Sequence, residues 1–399
     1  MSAIRAGIVG TGWMALVHTE ALRRIGVDVV GMVGSSPART RAKANPLLPP
    51  PFDSLDELLA VPGLQAVHIT SPNDVHAAQA GAAIDAGLAV VCEKPLGVDT
   101  AETGDLVARA HAAGVVNAVC FNLRYYAQNQ NAAAEVAAGA IGAPRLVSGH
   151  YLQDWLLLET DWNWRLDAER QGKLRAMADI GSHWIDLTSF VTGQDVTEVF
   201  ADLHTFVGER DRPTGEVETF AAATVASHVE RTRVAMASDD AAGLLLRYDG
   251  GARGVCTVSQ VSAGRKNDVS WEVDGADAAL AWQSTDPERL WIGHRGRANE
   301  LAEKDPTVMT SAGTATAAFP AGHVEGYPDT FRALFSAVYT DIAAGAPSSA
   351  PTYPTFATGH RVVAVCEAIA ESARTGAWAP VAPTAHDRPD DHAHEGSTR

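Results

Sequence analysis

The first third of the chain alternates short apolar runs with amphipathic ones, and no other feature limits the possible folds as strongly. Strands are predicted at RAGIVG (5–10), DVVGMVG (28–34), AVHIT (66–70), AVVCE (89–93) and VVNAVCF (115–121). Helices are predicted at WMALVHTEALRR (13–24), SLDELLA (54–60), VHAAQAGAAIDAG (75–87) and TAETGDLVARAHAAG (100–114). Asp53 or Ser54 would cap the second helix, and Thr100 opens the last one in a capping-type pattern. Strands this uniformly apolar leave no face for solvent. They predict a parallel sheet covered by helices on both sides, with right-handed crossovers.

The first strand runs into GTGWMA, Gly10 to Ala15, a G-x-G-x-x-A turn that opens the first helix. Gly10 permits the tight turn, and Gly12 lets a pyrophosphate approach the backbone. The N–H groups at the helix start, at Trp13 and Met14, then bind the phosphates. By itself the motif is common, and a plain tight turn is the competing reading. Its place between a strand and a helix is the context that dinucleotide binding requires. The second strand ends in Gly34, Ser35 and Ser36, with Arg39 and Arg41 following, where an acid would read the ribose of NAD. Two hydroxyls and a guanidinium suit a 2′-phosphate, so NADP is expected over NAD. The competing reading makes Arg39 and Arg41 solvated helix positions.

With 399 residues, the chain is expected to divide into more than one domain. The formal charge of −17 argues against nucleic acid or an anionic membrane as partner, though not against a small anionic cofactor in a local site. The opening MSAIRAGIVG enters a strand without a leader-like pattern, and no apolar run reaches membrane-spanning length. Cys92, Cys120, Cys256 and Cys366 are scattered, with no C-x-x-C pair. They are expected to be free thiols in a reduced, cytoplasmic setting, and no metal site is expected.

After about residue 123 the pattern changes. PRLVSGHYLQDW (144–155), EVFADLHTFV (198–207), ETFAAATVA (218–226), AGLLLRYDGGARGVCTVSQV (242–261) and DVSWEVDGADAALAW (268–282) read as strands, the last two as hairpins turning at DGG and DGADA. TFATGHRVVAVCEAIAESARTG (355–376) is a late amphipathic helix, and the polar tail 386–399 carries three histidines. The expected organisation is an α/β chain: a Rossmann domain, 1–123, then an α+β domain with a large open-faced, mainly antiparallel sheet, 124–380, and a disordered tail, 381–399. The late helix would reach back to the first domain.

Two stretches carry chemistry. AVVCEKPLG (89–97) ends an apolar strand in Glu93, Lys94 and Pro95, and burying such charges is costly without a purpose. ADIGSHWIDLTSFVTG (178–193) contains a helix, 179–191. At 100° per residue, Ile180, Trp184, Leu187 and Val191 share one stripe and Asp179, His183 and Asp186 another. Asp179 and His183 are an i,i+4 pair, so the carboxylate would orient the imidazole. An ordinary exposed polar face is the competing reading.

With CFNLRYY (120–126) added, these motifs resemble the glucose–fructose oxidoreductase and inositol dehydrogenase family (Gfo/Idh/MocA) over about residues 4–380. The resemblance implies that Lys94 reaches the substrate hydroxyl and the nicotinamide region, with Glu93 positioning it and a Lys94–Pro95 bond that is often cis in relatives. It implies further cofactor contacts from Ser71, Asn73, His76 and Asn122. His183, with a pKa near neutral, would take the hydroxyl proton, and Asp179 would hold His183 or a substrate hydroxyl. Lys94 would stabilise the alkoxide.

YLQDWLLLETDWNWR (151–165) places Trp155, Trp162 and Trp164 among Asp154, Asp161, Asn163 and Arg165. Flat rings between hydrogen-bonding groups suit a polyhydroxylated ring, and the stretch resembles members acting on anhydrosugars and glycosides. Tryptophans filling an interdomain gap would look the same. The resemblance also points to Arg124, Lys266, Asn267, His323 and Tyr327 on the substrate side. A dehydrogenase of a sugar, anhydrosugar, glycoside or cyclic polyol is expected, as a homodimer or homotetramer. The alternatives are a glycoside-cleaving enzyme using transient oxidation and a non-catalytic sensor.

Overall fold

The computed structural model describes residues 3–167, 170, 172–214 and 230–383. The stretch read as a strand at 218–226 and the histidine-bearing tail lie outside the described residues.

Five parallel strands form the first sheet in the order β2-β1-β3-β4-β5: β1 (Arg5–Val9), β2 (Asp28–Val33), β3 (Ala66–Ile69), β4 (Ala89–Cys92) and β5 (Asn117–Val119). The helices between them are α1 (Trp13–Arg24), α2 (Pro37–Ala42), α3 (Leu55–Leu59), α4 (His76–Asp85) and α5 (Thr100–Ala113). Ser54 caps α3, accepting from the Glu57 N–H. The cap of α5 is Asp99, one residue earlier than Thr100, because its carboxylate accepts from the Glu102 N–H. β3 and β4 are buried along their whole length, as strands covered on both faces must be. β1 joins β2 on one side and β3 on the other, so the strand order reverses beside the glycine turn.

α6 (Ala127–Ala137) leads into a nine-stranded sheet ordered β15-β14-β13-β12-β6-β11-β10-β7-β16. Its strands are β6 (Leu146–Leu152), β7 (Val196–His204), β10 (Ala241–Tyr248), β11 (Arg253–Ser259), β12 (Asp268–Asp274), β13 (Ala279–Gln283), β14 (Arg289–Gly293), β15 (Glu300–Glu303) and β16 (Ala379–Pro380). Pairing is antiparallel except between β6 and β11, so the sheet is mixed. Burial alternates along β10 and β11, which gives the sheet one packed and one open face. A separate hairpin joins β8 (Glu209–Pro213) to β9 (Arg231–Ala235).

The packed face is covered by α6, α7 (Ser182–Thr192) and part of α10 (Phe356–Thr375) around the fully buried Trp184 and Trp271. α8 (Ser311–Thr316) lies in the following loop. Two long helices return to the first sheet. α9 (Tyr327–Ala344) lays Phe331, Leu334, Phe335 and Val338 into one of its cores, and Phe356 and Val362 of α10 enter the other. No helix among the described residues is long and apolar enough to cross a membrane.

Candidate active site

Gly10 has φ +117°, and a Cβ there would stand 2.4 Å from Thr70 Oγ1 and 2.7 Å from its carbonyl carbon. Only glycine fits. Gly12 contrasts with it: nothing lies within 4 Å of where its Cβ would be, and it stands at the N-cap of α1. A helix start presents N–H groups that its own turns do not all use. An open space lined by backbone donors is what a pyrophosphate needs, so these residues fit a dinucleotide. Trp13 is half exposed and stacks on Tyr327 at 5.8 Å; Met14 packs against the first core.

At the end of β2, Arg39 Nη1 donates to Ser35 Oγ at 3.2 Å and its backbone N–H to Ser36 Oγ at 3.4 Å, so Ser36 caps α2. Arg41 is spent on Asp53 in an ion pair. Asp53 is an acid that strand reading missed here: Pro51 bridges Met32 in parallel and carries Asp53 past the end of β2.

The turn after β4 is fastened from β3. The His76 ring lies 2.9 Å from the carbonyls of Pro95 and of Ser71, on opposite nitrogens, and the Lys94–Pro95 peptide is cis. Ser71 Oγ bonds Gln79 at 2.5 Å, and Asn73 is buried. Asn122, after β5, donates to Thr330 Oγ1 at 2.8 Å.

Lys94 Nζ donates to Asp179 twice, to Oδ1 at 2.9 Å and to the carbonyl at 2.7 Å. Arg165 Nε shares the same Oδ1 at 2.9 Å, and Gln260 Nε2 donates to Oδ2 at 2.8 Å. Burial alone would raise the Asp179 carboxyl, but the charges of Arg165 and Lys94 outweigh it and hold the group well below the usual carboxylate range. His183 lies edge-on to Phe121 at 5.8 Å, and its Nδ1 is buried without a hydrogen-bond partner among the described residues.

The geometry corrects three of the readings above. Asp179 does not hold His183: both carboxylate oxygens are taken by Lys94, Arg165 and Gln260. The chain makes a π turn at Met177–Gly181 before α7 starts, so the 100° count fails at Asp179. The polar stripe is also no solvated face, since Asp179, His183 and Asp186 are all buried. Nor does the imidazole titrate near neutrality. Burial, reinforced by the Lys94 charge, lowers it to about 3.

The remaining candidates divide. Arg124 is committed to Asp186 through Nε at 2.7 Å and Nη2 at 2.5 Å, with Phe190 beneath its guanidinium. His323 sits on an exposed loop, its carbonyl accepting from Lys304. Asn267 accepts from the Tyr151 hydroxyl at 2.8 Å and from Gln153 at 2.9 Å, and Tyr151 neighbours the His183 ring at 6.2 Å. Lys266 pairs with Asp154 at 2.7 Å. Trp155 donates to Gln153, Trp162 lies under Arg212, and Trp164 lies under Arg165 and Arg170. The hairpin fastens this segment: the buried Arg210 donates to the carbonyls of Leu156 and Leu158, both at 2.8 Å. Gln260 and Tyr151 were not singled out from sequence; each is an ordinary strand-end polar residue with no motif around it.

Comparison with known proteins agrees with this arrangement. The family model described as "Oxidoreductase family, NAD-binding Rossmann fold" matches residues 4–121, and the Gfo/Idh/MocA C-terminal domain model matches 129–281. An oxidoreductase domain protein from Kribbella flavida superposes with a TM-score of 0.84 at 31% identity, covering 96% of this chain and 100% of that one. Levoglucosan dehydrogenase from Pseudarthrobacter phenanthrenivorans is 27% identical over 398 residues, 96% of this chain and 99% of the relative. A levoglucosan dehydrogenase structure in complex with NADH and levoglucosan has a TM-score of 0.83 at 24% identity, covering 96% and 100% of the two chains. The fold and the cluster at its strand ends define an oxidoreductase with an NAD-binding Rossmann fold. The chain belongs to the Gfo/Idh/MocA family.

Proposed function

We propose that this protein oxidises a secondary hydroxyl of a sugar, an anhydrosugar or a cyclic polyol, with Lys94 and His183 handling the hydroxyl. The observation that carries the reading is the Lys94–Asp179 pair beside the buried His183 imidazole, at the carboxyl end of β4. Open parallel sheets bind their ligands outside that edge. The full-length likeness to a levoglucosan dehydrogenase supports the substrate class.

Lys94 spends two of its three N–H groups on Asp179 and keeps one for a substrate oxygen. That donor favours the oxygen as negative charge develops on it. His183 is neutral at working pH and accepts the hydroxyl proton. Its low basicity suffices because that proton becomes strongly acidic as the hydride departs from carbon. A bound nicotinamide supplies the hydride chemistry. Asp179, with Arg165 and Gln260 on its oxygens, fixes where Lys94 points. Trp155, Trp162, Trp164, Asn267 and Tyr327 line the substrate side in this reading, and Asn73, His76 and Asn122 the cofactor side. Residues 1–123 hold the dinucleotide and 124–380 the substrate.

NADP is the favoured dinucleotide. The Ser35 hydroxyl and the Arg39 guanidinium would suit a 2′-phosphate, and Asp53 is paired with Arg41. The free thiols suit a reduced, cytoplasmic setting, and a homodimer or homotetramer is read by light scattering. The deciding experiment incubates the protein with sugars, anhydrosugars, glycosides and inositols and with NAD or NADP, following reduced-nicotinamide absorbance and free aglycone. Accumulation of reduced cofactor with at least one polyol is expected. Release of a free aglycone with no reduced cofactor would overturn the dehydrogenase reading.

A further inference from the structure

Beneath the Lys94 turn lies a buried chain of polar groups that the proposed chemistry does not use. Tyr339 on α9 places its hydroxyl 3.0 Å from His68 Nε2 on β3. His68 Nδ1 is 3.0 Å from His18 Nδ1 on α1, and His18 Nε2 is 3.0 Å from Glu93 Oε1. The other Glu93 oxygen accepts from the Lys94 backbone N–H at 3.2 Å. His18 and His68 are fully buried and walled by Phe335, at 4.9 and 4.6 Å from the two rings.

Donor counting assigns the protons. One hydrogen lies between the two Nδ1 atoms. If His68 carries it, His18 Nδ1 accepts, His18 Nε2–H donates to a carboxylate, and the Tyr339 hydroxyl donates to His68 Nε2. Every group is then satisfied with both rings neutral and Glu93 ionised. If His18 carries it, whether neutral or doubly protonated, His68 Nε2–H must donate to Tyr339. The buried Tyr339 hydrogen then has no acceptor among the described residues, which is costly. The first direction therefore wins. Burial opposes the charge on Glu93, but the His18 hydrogen bond and the nearby Lys94 hold the carboxyl below its ordinary range. Cys120 Sγ, 3.8 Å from His18 Nε2, completes a trio whose ligand atoms lie within 4.8 Å, but the hydrogen bonds already account for the ring and the carboxylate.

The ion sits on the edge of the sheet that a nicotinamide would occupy. The adenosine half goes to the end of β2, so the other half is directed past β1 toward β3, β4 and β5. We propose that Tyr339, His68 and His18 are positioning residues that hold Glu93 as a buried anion, and that this anion makes the site bind oxidised dinucleotide, whose ring is cationic, more tightly than the neutral reduced form. The proposal rests on the dinucleotide reading of the site.

Equilibrium titration with oxidised dinucleotide, reduced dinucleotide and ADP-ribose separates the two. Glu93→Gln keeps the shape and removes the charge. The ratio of oxidised to reduced Kd should rise about tenfold, the order expected for one unit charge near the ring in a protein interior. His18→Met should move the ratio in the same direction and add nothing in the double variant with Glu93→Gln. His18→Gln, whose terminal N–H reaches Glu93, should restore it. ADP-ribose affinity should stay constant throughout. Should His18→Met fail to fold, Tyr339→Phe removes only the hydroxyl and should shift the ratio the same way by less. A wild type that binds ADP-ribose, with an unchanged ratio in Glu93→Gln, would overturn the proposal alone. A wild type that binds neither oxidised nor reduced dinucleotide would overturn the dinucleotide reading as well.

Discussion

The glycine turn and the Lys94 cluster are two sites built in opposite ways. Gly10 to Ala15 is one contiguous stretch whose useful property is empty space over Gly12. The Lys94 cluster gathers the end of β4, the tryptophan segment, the π turn, α7 and the residue after β11, and its property is a filled hydrogen-bond shell around Asp179. A contiguous site depends on backbone conformation at one or two positions. An assembled one depends on several elements arriving together, so its failures should be graded and coupled.

The largest effect should break the assembled site. His183→Ala is expected to lower kcat by about 10²–10⁴-fold, and Lys94→Met by about 10²–10³-fold, with dinucleotide Kd nearly unchanged in both. Rates near wild type in both variants would make the constellation structural. Gly12→Val tests the other side. The branch enters open space, so thermal unfolding should be unaffected, while dinucleotide Kd should rise by about ten- to a hundredfold, one or two lost charge-assisted hydrogen bonds. Gly10→Ala should reverse that pattern. Its Cβ meets the Thr70 backbone at a positive φ, so a loss of about 1–3 kcal/mol or more of stability is expected by denaturant titration. Arg39→Ala should raise KM for NADP about tenfold and leave NAD unaffected, the scale of one charged hydrogen bond.

The pH profile gives the smallest signal. His183, lowered to about 3 from its ordinary 6.5, stays neutral across the working range. The kcat profile should therefore show no limb near 6.5 from this residue. Stability should change instead: between about 3 and 6.5 the unfolded chain takes a proton that the folded one refuses, so this group makes stability rise with pH through that window. A kcat limb near 6.5 that disappears in a His183 variant would show the imidazole to be less buried in the working enzyme than here.

Much of the first sheet was legible because its signals are local. Uniformly apolar runs, a capped helix and a glycine turn each describe a few adjacent residues, and their boundaries agree with the structure to within a few positions. The hairpins at DGG and DGADA were legible for the same reason. The π turn was not, since a helix count assumes one pitch throughout, and this error paired Asp179 with the wrong group. Helix α9 was not singled out either, because its first turn was read only as pocket-lining sequence.

Local pattern alone determined the parallel sheet, the glycine turn and the residue types able to carry the chemistry, because strand burial and φ preferences act over neighbouring residues. Tertiary structure decided which charge meets which. Only packing brought Gln260 to Asp179, committed Arg124 to Asp186 and set His18 edge-on to His68. Electrostatic energy depends on separation through space and on burial, and the spacing of residues along a chain determines neither.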